Sequence, residues 1–223
     1  MTSSFPEVHV LQAGYARWSP DGKSQRADGT IALVIGEKKI VVDTGLPKDK
    51  ALILAKLAEY KLTPEAINAV VCTHGDADHI SNVNLFPNAE LIVGFDIYHD
   101  DEATFFQKNY LIAPNITATE MLGHDDRSIG VLVQTVRGLI AITGDLFEAE
   151  NDWQDVASWL AFSKKPKQHV QTRARIWELA DYIVPGHGPM FKVDKSIDIL
   201  AHEKAALSEL LATTSNVYGD VEV

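Results

Sequence analysis

The chain has 223 residues, 46% of them hydrophobic and 23% charged, a balance that predicts one well-buried domain over residues 1–223 and excludes a disordered or low-complexity chain. Its formal net charge of −11 sets an average field that repels polyanions. The nearest thing to a phosphate-binding basic cluster is Lys164-Lys165-Pro166-Lys167, which we read as a solvated loop.

Residues 8–12 and 30–36 read as strands, joined by a polar loop over 14–29 that carries Arg17, Trp18 and Arg26. Trp18 is open between a substrate contact and an anchor for that loop. A turn at Gly36-Glu37 leads into a strand over 40–42, ending at Asp43-Thr44-Gly45. Residues 47–60 space Leu52, Leu54, Ala55, Leu57 and Ala58 as a helix does, with Pro47 suited to its first turn. Ala69-Val70-Val71-Cys72 is short and rich in β-branched residues, so it reads as a buried strand with Cys72 as a core residue. A strand over 90–94 precedes a less regular insertion, 95–114, whose aromatics could line a pocket, pack the insertion or form a homodimer contact. His99 within it belongs to no motif and is expected not to be a ligand. Residues 116–122, 130–136 and 139–142 read as strands of a second sheet, and 152–160, 168–180 and 195–212 as helices. The two similar halves predict an α/β fold of four layers, an αββα sandwich.

The segment after Cys72 is Thr73-His74-Gly75-Asp76-Ala77-Asp78-His79, which holds four potential metal ligands in six residues at the end of a strand. A loop there is held by a rigid sheet yet open to solvent, as a catalytic metal requires. His74, Asp76 and Asp78 alternate with small residues and can converge, whereas Asp78 and His79 are adjacent and are expected to diverge. Three more times a His or Asp stands beside glycine at or near a strand end: Gly123-His124, Gly144-Asp145 and Gly186-His187. Glycine there permits the close backbone approach of a tight metal-site loop.

Asp43-Thr44-Gly45, the His74 to His79 loop, His124, Asp145 and His187 together resemble the motifs of the metallo-β-lactamase fold superfamily, in the right order and over nearly the whole chain. More narrowly, Leu11-Gln12, Gly14-Tyr15-Ala16, Arg26-Ala27-Asp28-Gly29, Thr73-His74-Gly75, Asp78-His79-Ile80, Leu85-Phe86-Pro87 and Val184-Pro185-Gly186-His187-Gly188-Pro189 resemble the metallo-β-lactamase domain-containing protein 1 family. The resemblance implies a four-layer αββα sandwich and two divalent metal ions. His74, Asp76 and His124 would hold one and Asp78, His79 and His187 the other, with Asp145 bridging and Asp43 hydrogen-bonding the histidine loop from behind. Such ions share a hydroxide when ~3.5 to 4 Å apart and polarise the scissile group, with Asp78 as the catalytic group that orients the nucleophile or passes a proton.

One departure is chemical. Asp76 stands where the superfamily has its second histidine, and a carboxylate there moves preference from zinc, the family's default, towards iron or manganese. If the shorter side chain does not ligate, a weakened or single-metal site results. The narrower resemblance implies an endoribonuclease that processes the 3′ end of histone pre-messenger RNA. The acidic balance and the missing basic patch argue against that transfer, and the alternative is hydrolysis of a small ester or thioester. Iron-dependent redox chemistry and a catalytically weak interaction module are the further classes. Little more than a helix follows His187, which argues against a helical substrate-binding domain of the glyoxalase II kind. Residues 1–8 show no basic segment before an apolar core, no run is long enough to span a membrane, and one cysteine excludes an internal disulfide. The expectation is a soluble protein of the cytoplasm, or also the nucleus, with RNA or a small ester as partner and no membrane.

Overall fold

The computed structural model of the chain describes residues 5–214. Strand β1 (Glu7–Gln12) is followed by a separate hairpin, β2 (Tyr15–Trp18) and β3 (Gln25–Asp28), and then by β4 (Ile31–Ile35), β5 (Lys39–Val42), β6 (Ala69–Cys72), β7 (Glu90–Val93), β8 (Asp96–His99) and β9 (Glu102–Phe105). Apart from the hairpin, these form one sheet in the order β1-β4-β5-β6-β7-β8-β9. The second sheet runs β10-β11-β12-β13-β14-β15, from β10 (Asn109–Ala113), β11 (Ile116–Glu120) and β12 (Ile129–Thr135) to β13 (Gly138–Gly144), β14 (Tyr182–Pro185) and β15 (Phe191–Lys192).

Both sheets are buried on two sides, and the period-2 alternation of a strand decides which residue goes where. Ile40 and Val42 of β5 and Ala69 and Val71 of β6 face inward, against Ile116, Val131, Val133, Ile140 and Ile142 of the second sheet. Their neighbours Val41, Val70 and Cys72 face outward, onto Ile53 and Leu57 of α1 (Lys50–Glu59). Both α1 residues are fully buried, so truncating Leu57 to alanine would cost about 2–5 kcal/mol. The outer face of the second sheet presents Ala141 and Ile183 to Ile176 and Trp177 of α4 (Pro166–Leu179) and to Ile199 of α5 (Ile199–Thr214). Helix, sheet, sheet, helix is the predicted sandwich. Two further helices are short, α2 (Ala77–Ile80) and α3 (Ala157–Leu160).

Three expectations need correction. The polar stretch 14–29 is a hairpin, Tyr15 pairing with Asp28 and Trp18 with Gln25, because both of its faces are partly solvated and no apolar alternation announces it. The insertion 95–114 is regular: β8 and β9 extend the first sheet, and β10 begins the second, so it carries the chain from one sheet to the other. Phe95, Phe106 and Tyr110 pack against the inter-sheet core, while Tyr98 and Phe105 are exposed. Residues 152–160 form a 3-10 turn, Asp152–Gln154, and the one-turn α3 rather than one helix. Among the described residues no helix is long and apolar enough to cross a membrane.

Direction is what positions the site. β5, β6 and β7 run parallel, as do β13 and β14, and β11 shares their sense through two antiparallel steps. Asp43, His74, His124, Asp145 and His187 therefore all follow the carboxyl ends of their strands, at one end of the sandwich, where open α/β sheets gather ligands.

Candidate metal centre

The loop after β6 is bolted down by the residue that follows β5. Asp43, held at φ 59°, accepts the Thr73 amide N–H on Oδ1 at 2.7 Å and the Thr73 hydroxyl on Oδ2 at 2.8 Å. Its Oδ2 also lies 2.8 Å from His79 Nδ1. An ionised carboxylate only accepts, so His79 carries its proton on Nδ1 and turns Nε2 into the site. Thr73 has one hydroxyl hydrogen, given to Asp43, so at its 3.1 Å contact with His74 Nδ1 the ring donates. His187 Nδ1 likewise donates to the Asp28 carbonyl at 3.1 Å. Three imidazoles thus present Nε2 lone pairs to one space, as metal-ligating histidines do when their other nitrogen is engaged.

All seven predicted ligands lie there. Asp76 Oδ2 is 3.5 Å from both His74 Nε2 and His124 Nε2. Asp145 sits centrally: its Oδ2 is 3.5 Å from His74 Nε2 and 3.3 Å from His187 Nε2, and its Oδ1 is 3.2 Å from His79 Nε2. Ligand atoms of His74, Asp76, His124 and Asp145 fall within 4.8 Å of one another, and so do those of Asp78, His79 and His187. The expected divergence of Asp78 from His79 does not occur. Both lie in the single turn of α2, which brings Asp78 Oδ2 to 3.9 Å from His79 Nε2.

Two glycines make the crowding possible. Gly144 adopts φ 52°, and a Cβ there would strike Thr73 Oγ1; a Cβ on Gly186 would strike Asp145 Oδ1.

The donor set fits a divalent cation. His74 Nε2, His79 Nε2 and Asp145 Oδ1 are buried polar atoms that make no hydrogen bond, an arrangement that is costly unless something else satisfies them. The electrostatics agree. Burial alone would lower the pKa of His79, but the carboxylates of Asp145 and Asp43 outweigh it and hold it well above the imidazole norm. Burial likewise opposes ionisation of Asp145, yet His79, His74 and His187 hold it well below the usual carboxylate range. Hydrogen bonding from His124 and then His74 holds Asp76 below that range too. His187, despite burial, is lifted to about 9, chiefly by Asp145. Protons held by His79 and His187 answer these carboxylates, and a divalent ion would displace them and take up the Nε2 lone pairs.

One residue escaped the sequence reading. Glu148, 8% exposed, places Oε2 3.8 Å from His187 Nε2, and it shares a ligand-sized grouping with Asp145 and His187. Burial first, and then Asp145, raise its pKa well above the usual glutamate value. The only signal was its spacing, three residues beyond Asp145 and just past a strand end.

The centre opens through a pocket of about 90 Å³, lined by Gln25, Ala27, Asp78, Glu148 and Phe162 among others, into a groove of about 500 Å³. The hairpin β2–β3 forms one wall of the groove, with Tyr15, Arg17 and Trp18; Glu148, Glu150 and Asp155 form the other. Trp18 stacks on Phe162 with ring centroids 5.8 Å apart and planes 13° from parallel, so it contacts the pocket rim and also anchors the hairpin. Three lysines are paired with carboxylates, Lys164 with Asp125, Lys165 with Asp126, and Lys48 with Asp28 and Asp49, while Arg17 in the groove wall lies over the Tyr15 ring at 5.6 Å.

The family description "Metallo-beta-lactamase superfamily" matches residues 27–191. The chain is 36% identical over 195 residues to metallo-beta-lactamase domain-containing protein 1 of Xenopus laevis, covering 84% of this chain and 82% of that protein. It is 32% identical to the Homo sapiens protein of the same name, covering 83% and 82%. Among solved structures, an N-acyl homoserine lactone hydrolase with N-hexanoyl-L-homoserine at its catalytic metal centre superposes with a TM-score of 0.63 at 16% identity, over 84% of this chain and 94% of that one, a likeness of fold.

Proposed function

Because the chain belongs to the metallo-beta-lactamase superfamily and is a metal-dependent hydrolase of that fold, we propose that it cleaves a small carbonyl ester or thioester, using an ion pair held by His74, Asp76, His124, Asp78, His79 and His187 with Asp145 between the two sets. The observation that carries this reading is the groove. Its ~500 Å³ lie within the ~300–1,000 Å³ of small-molecule sites, and its acidic wall disfavours a phosphate backbone.

Divalent ions bound at this centre supply Lewis acidity towards the scissile carbonyl and a water that is nucleophilic near neutral pH. The chain's residues do the rest. Asp43, Thr73 and the Asp28 carbonyl fix the imidazole rings, so little reorganisation remains when substrate arrives. Asp78 lies 3.9 Å from the Nε2 atoms of both His79 and His187 and borders the pocket, where its carboxylate can accept a proton from water and return it to the leaving group. Trp18 and Phe162 narrow the opening and limit water beside the reacting bond. No serine or cysteine nucleophile is needed, and Cys72 is buried, with burial and Asp43 raising its thiol pKa.

A second reading, endonucleolytic cleavage of RNA of the histone pre-messenger type, is supported by the 36% identity to a relative whose family the sequence motifs resemble. The test compares both on purified, metal-reconstituted protein. Turnover of aryl esters and acyl thioesters without cleavage of a single-stranded histone transcript supports the first reading. Faster cleavage of that transcript than of a matched RNA, with binding that weakens as salt rises, overturns it in favour of the second.

A further inference from the structure

Glu148 is a carboxyl group placed with more care than the reaction requires. Its side chain accepts no hydrogen bond among the described residues, and His187 Nε2, at 3.8 Å, is its one ion-pair contact. Its backbone is fixed from both directions. The amide N–H donates to Asp152 Oδ2 at 2.7 Å, and the carbonyl accepts the amide N–H of His187 itself at 2.9 Å. Asp152 in turn is gripped by Arg173, which is fully buried and donates to both of its oxygens at 2.6 and 2.9 Å, to the Leu146 carbonyl at 2.6 Å and to Glu203 at 2.6 Å. The segment from Asp145 to Asp152 is thus clamped at Leu146, Glu148 and Asp152, and the glutamate is coupled to the histidine that it faces.

A buried carboxyl group without hydrogen-bond partners is costly to ionise, and a nearby cation removes that cost. Oxygen and nitrogen atoms of Asp145, Glu148 and His187 lie within 4.8 Å of one another, close enough to share one ion. We propose that Glu148 is a ligand of the ion at His187, sharing it with Asp145, which adds a carboxylate to that position and moves its preference towards manganese or iron over zinc. The inference rests on the reading of Asp145 and His187 as metal-holding residues. Together with Asp76 at the other position, it makes both halves of the centre oxygen-rich.

The test titrates metal-free wild type, Glu148→Gln and Glu148→His with Mn(II) and Zn(II), following heat of binding and the Mn(II) electron paramagnetic resonance signal. Thermal melts in chelator establish that each variant folds. Wild type should take up two ions. Glu148→Gln should bind one of its two Mn(II) ions at least ~10-fold more weakly, with a smaller loss for Zn(II), since even outer partners of metal ligands are worth ~10–100-fold in affinity. Glu148→His should recover Zn(II) but not Mn(II). Two ions bound by Glu148→Gln with wild-type affinities would overturn the proposal while leaving the metal centre intact. Wild type that binds neither metal would overturn both.

Discussion

Asp43 Oδ2 lies 2.8 Å from His79 Nδ1 while its Oδ1 accepts the amide of Thr73, so one carboxylate fixes both ends of the ligand loop. It fixes the residue before His74 and the ring of His79. Asp43→Asn keeps the volume but removes the charge and one acceptor oxygen. We expect metal affinity to fall by ~10–100-fold with little change in secondary structure. Competition against a chelator of known affinity measures this, and an unchanged constant would mean that Asp43 serves the fold alone.

Asp76 projects from the site loop with a side chain 64% exposed, yet its Oδ2 reaches 3.5 Å from two imidazoles. Exchanging it for an imidazole softens that position. Asp76→His should therefore raise the ratio of zinc to iron and manganese in protein as expressed, read by elemental analysis. A constant ratio with constant total metal would place Asp76 outside the coordination sphere.

Among the described residues Asp145 is the one carboxylate within 3.5 Å of imidazoles from both ligand sets. Asp145→Asn should cost ~10²-fold or more in turnover, the scale for removing one electrostatic element aimed at a reacting group. Far-ultraviolet dichroism should stay unchanged. Retained turnover would refute the central role given to it.

Arg173 is fully buried between Asp152 and Glu203, with Phe147 and Trp159 against its guanidinium at 4.1 and 5.0 Å. Arg173→Leu leaves two buried carboxyl groups without their cation. The expected loss is about 3–5 kcal/mol of unfolding free energy, measured by urea titration. A loss below ~1 kcal/mol would show the pair to be dispensable.

His169 is buried between the Leu146 carbonyl and Ser163, and burial, then Arg173, depress its pKa to about 3. The unfolded imidazole titrates near the ordinary histidine value of 6.5. Between those values the unfolded chain binds the extra proton, so the contribution of His169 is full above 6.5 and is lost as pH falls towards 3. Glu203 works in the opposite sense: burial raises it to about 7 from 4.5, so its contribution is full below 4.5 and is lost as pH rises through 7. The measurement is therefore a difference. Wild type minus His169→Gln stability should fall from pH 7 to pH 4, and a flat difference would contradict the depressed value.

The convergence of the candidate residues was legible because strand ends, glycines and hard or borderline donors coincide in the sequence at His74, His124, Asp145 and His187. The sandwich was legible because Ile40 to Val42 and Ala69 to Cys72 are apolar at every position, as strands buried on both faces must be. What stayed hidden had no one-dimensional trace. The β2–β3 hairpin is polar on both faces, and β8 and β9 mix exposed Tyr98 and Phe105 with partly buried neighbours, so neither carries a clean period. Glu148 sits in a run of acidic residues, and only the fold separates it from exposed Glu150. The convergence of Asp78 and His79 depends on a single helical turn too short to be announced by spacing.

Thr30 ties the two ends of the chain together: its amide donates to the Gly186 carbonyl at 2.7 Å, its hydroxyl donates to the Gly188 carbonyl at 3.1 Å, and it accepts from Gly14 N–H at 3.0 Å. Its bond to Gly188 spans 158 residues of sequence. Contacts of that separation form late, since most of the loop-closure entropy must be met before they return anything. During synthesis the His74 loop can fold onto Asp43 while more than a hundred residues remain untranslated, but His187 reaches its place only when the last strands close. On the proposed reading of this centre, a nascent or C-terminally clipped chain would offer only part of the metal-holding set, so tight metal retention would report that the whole sandwich has shut.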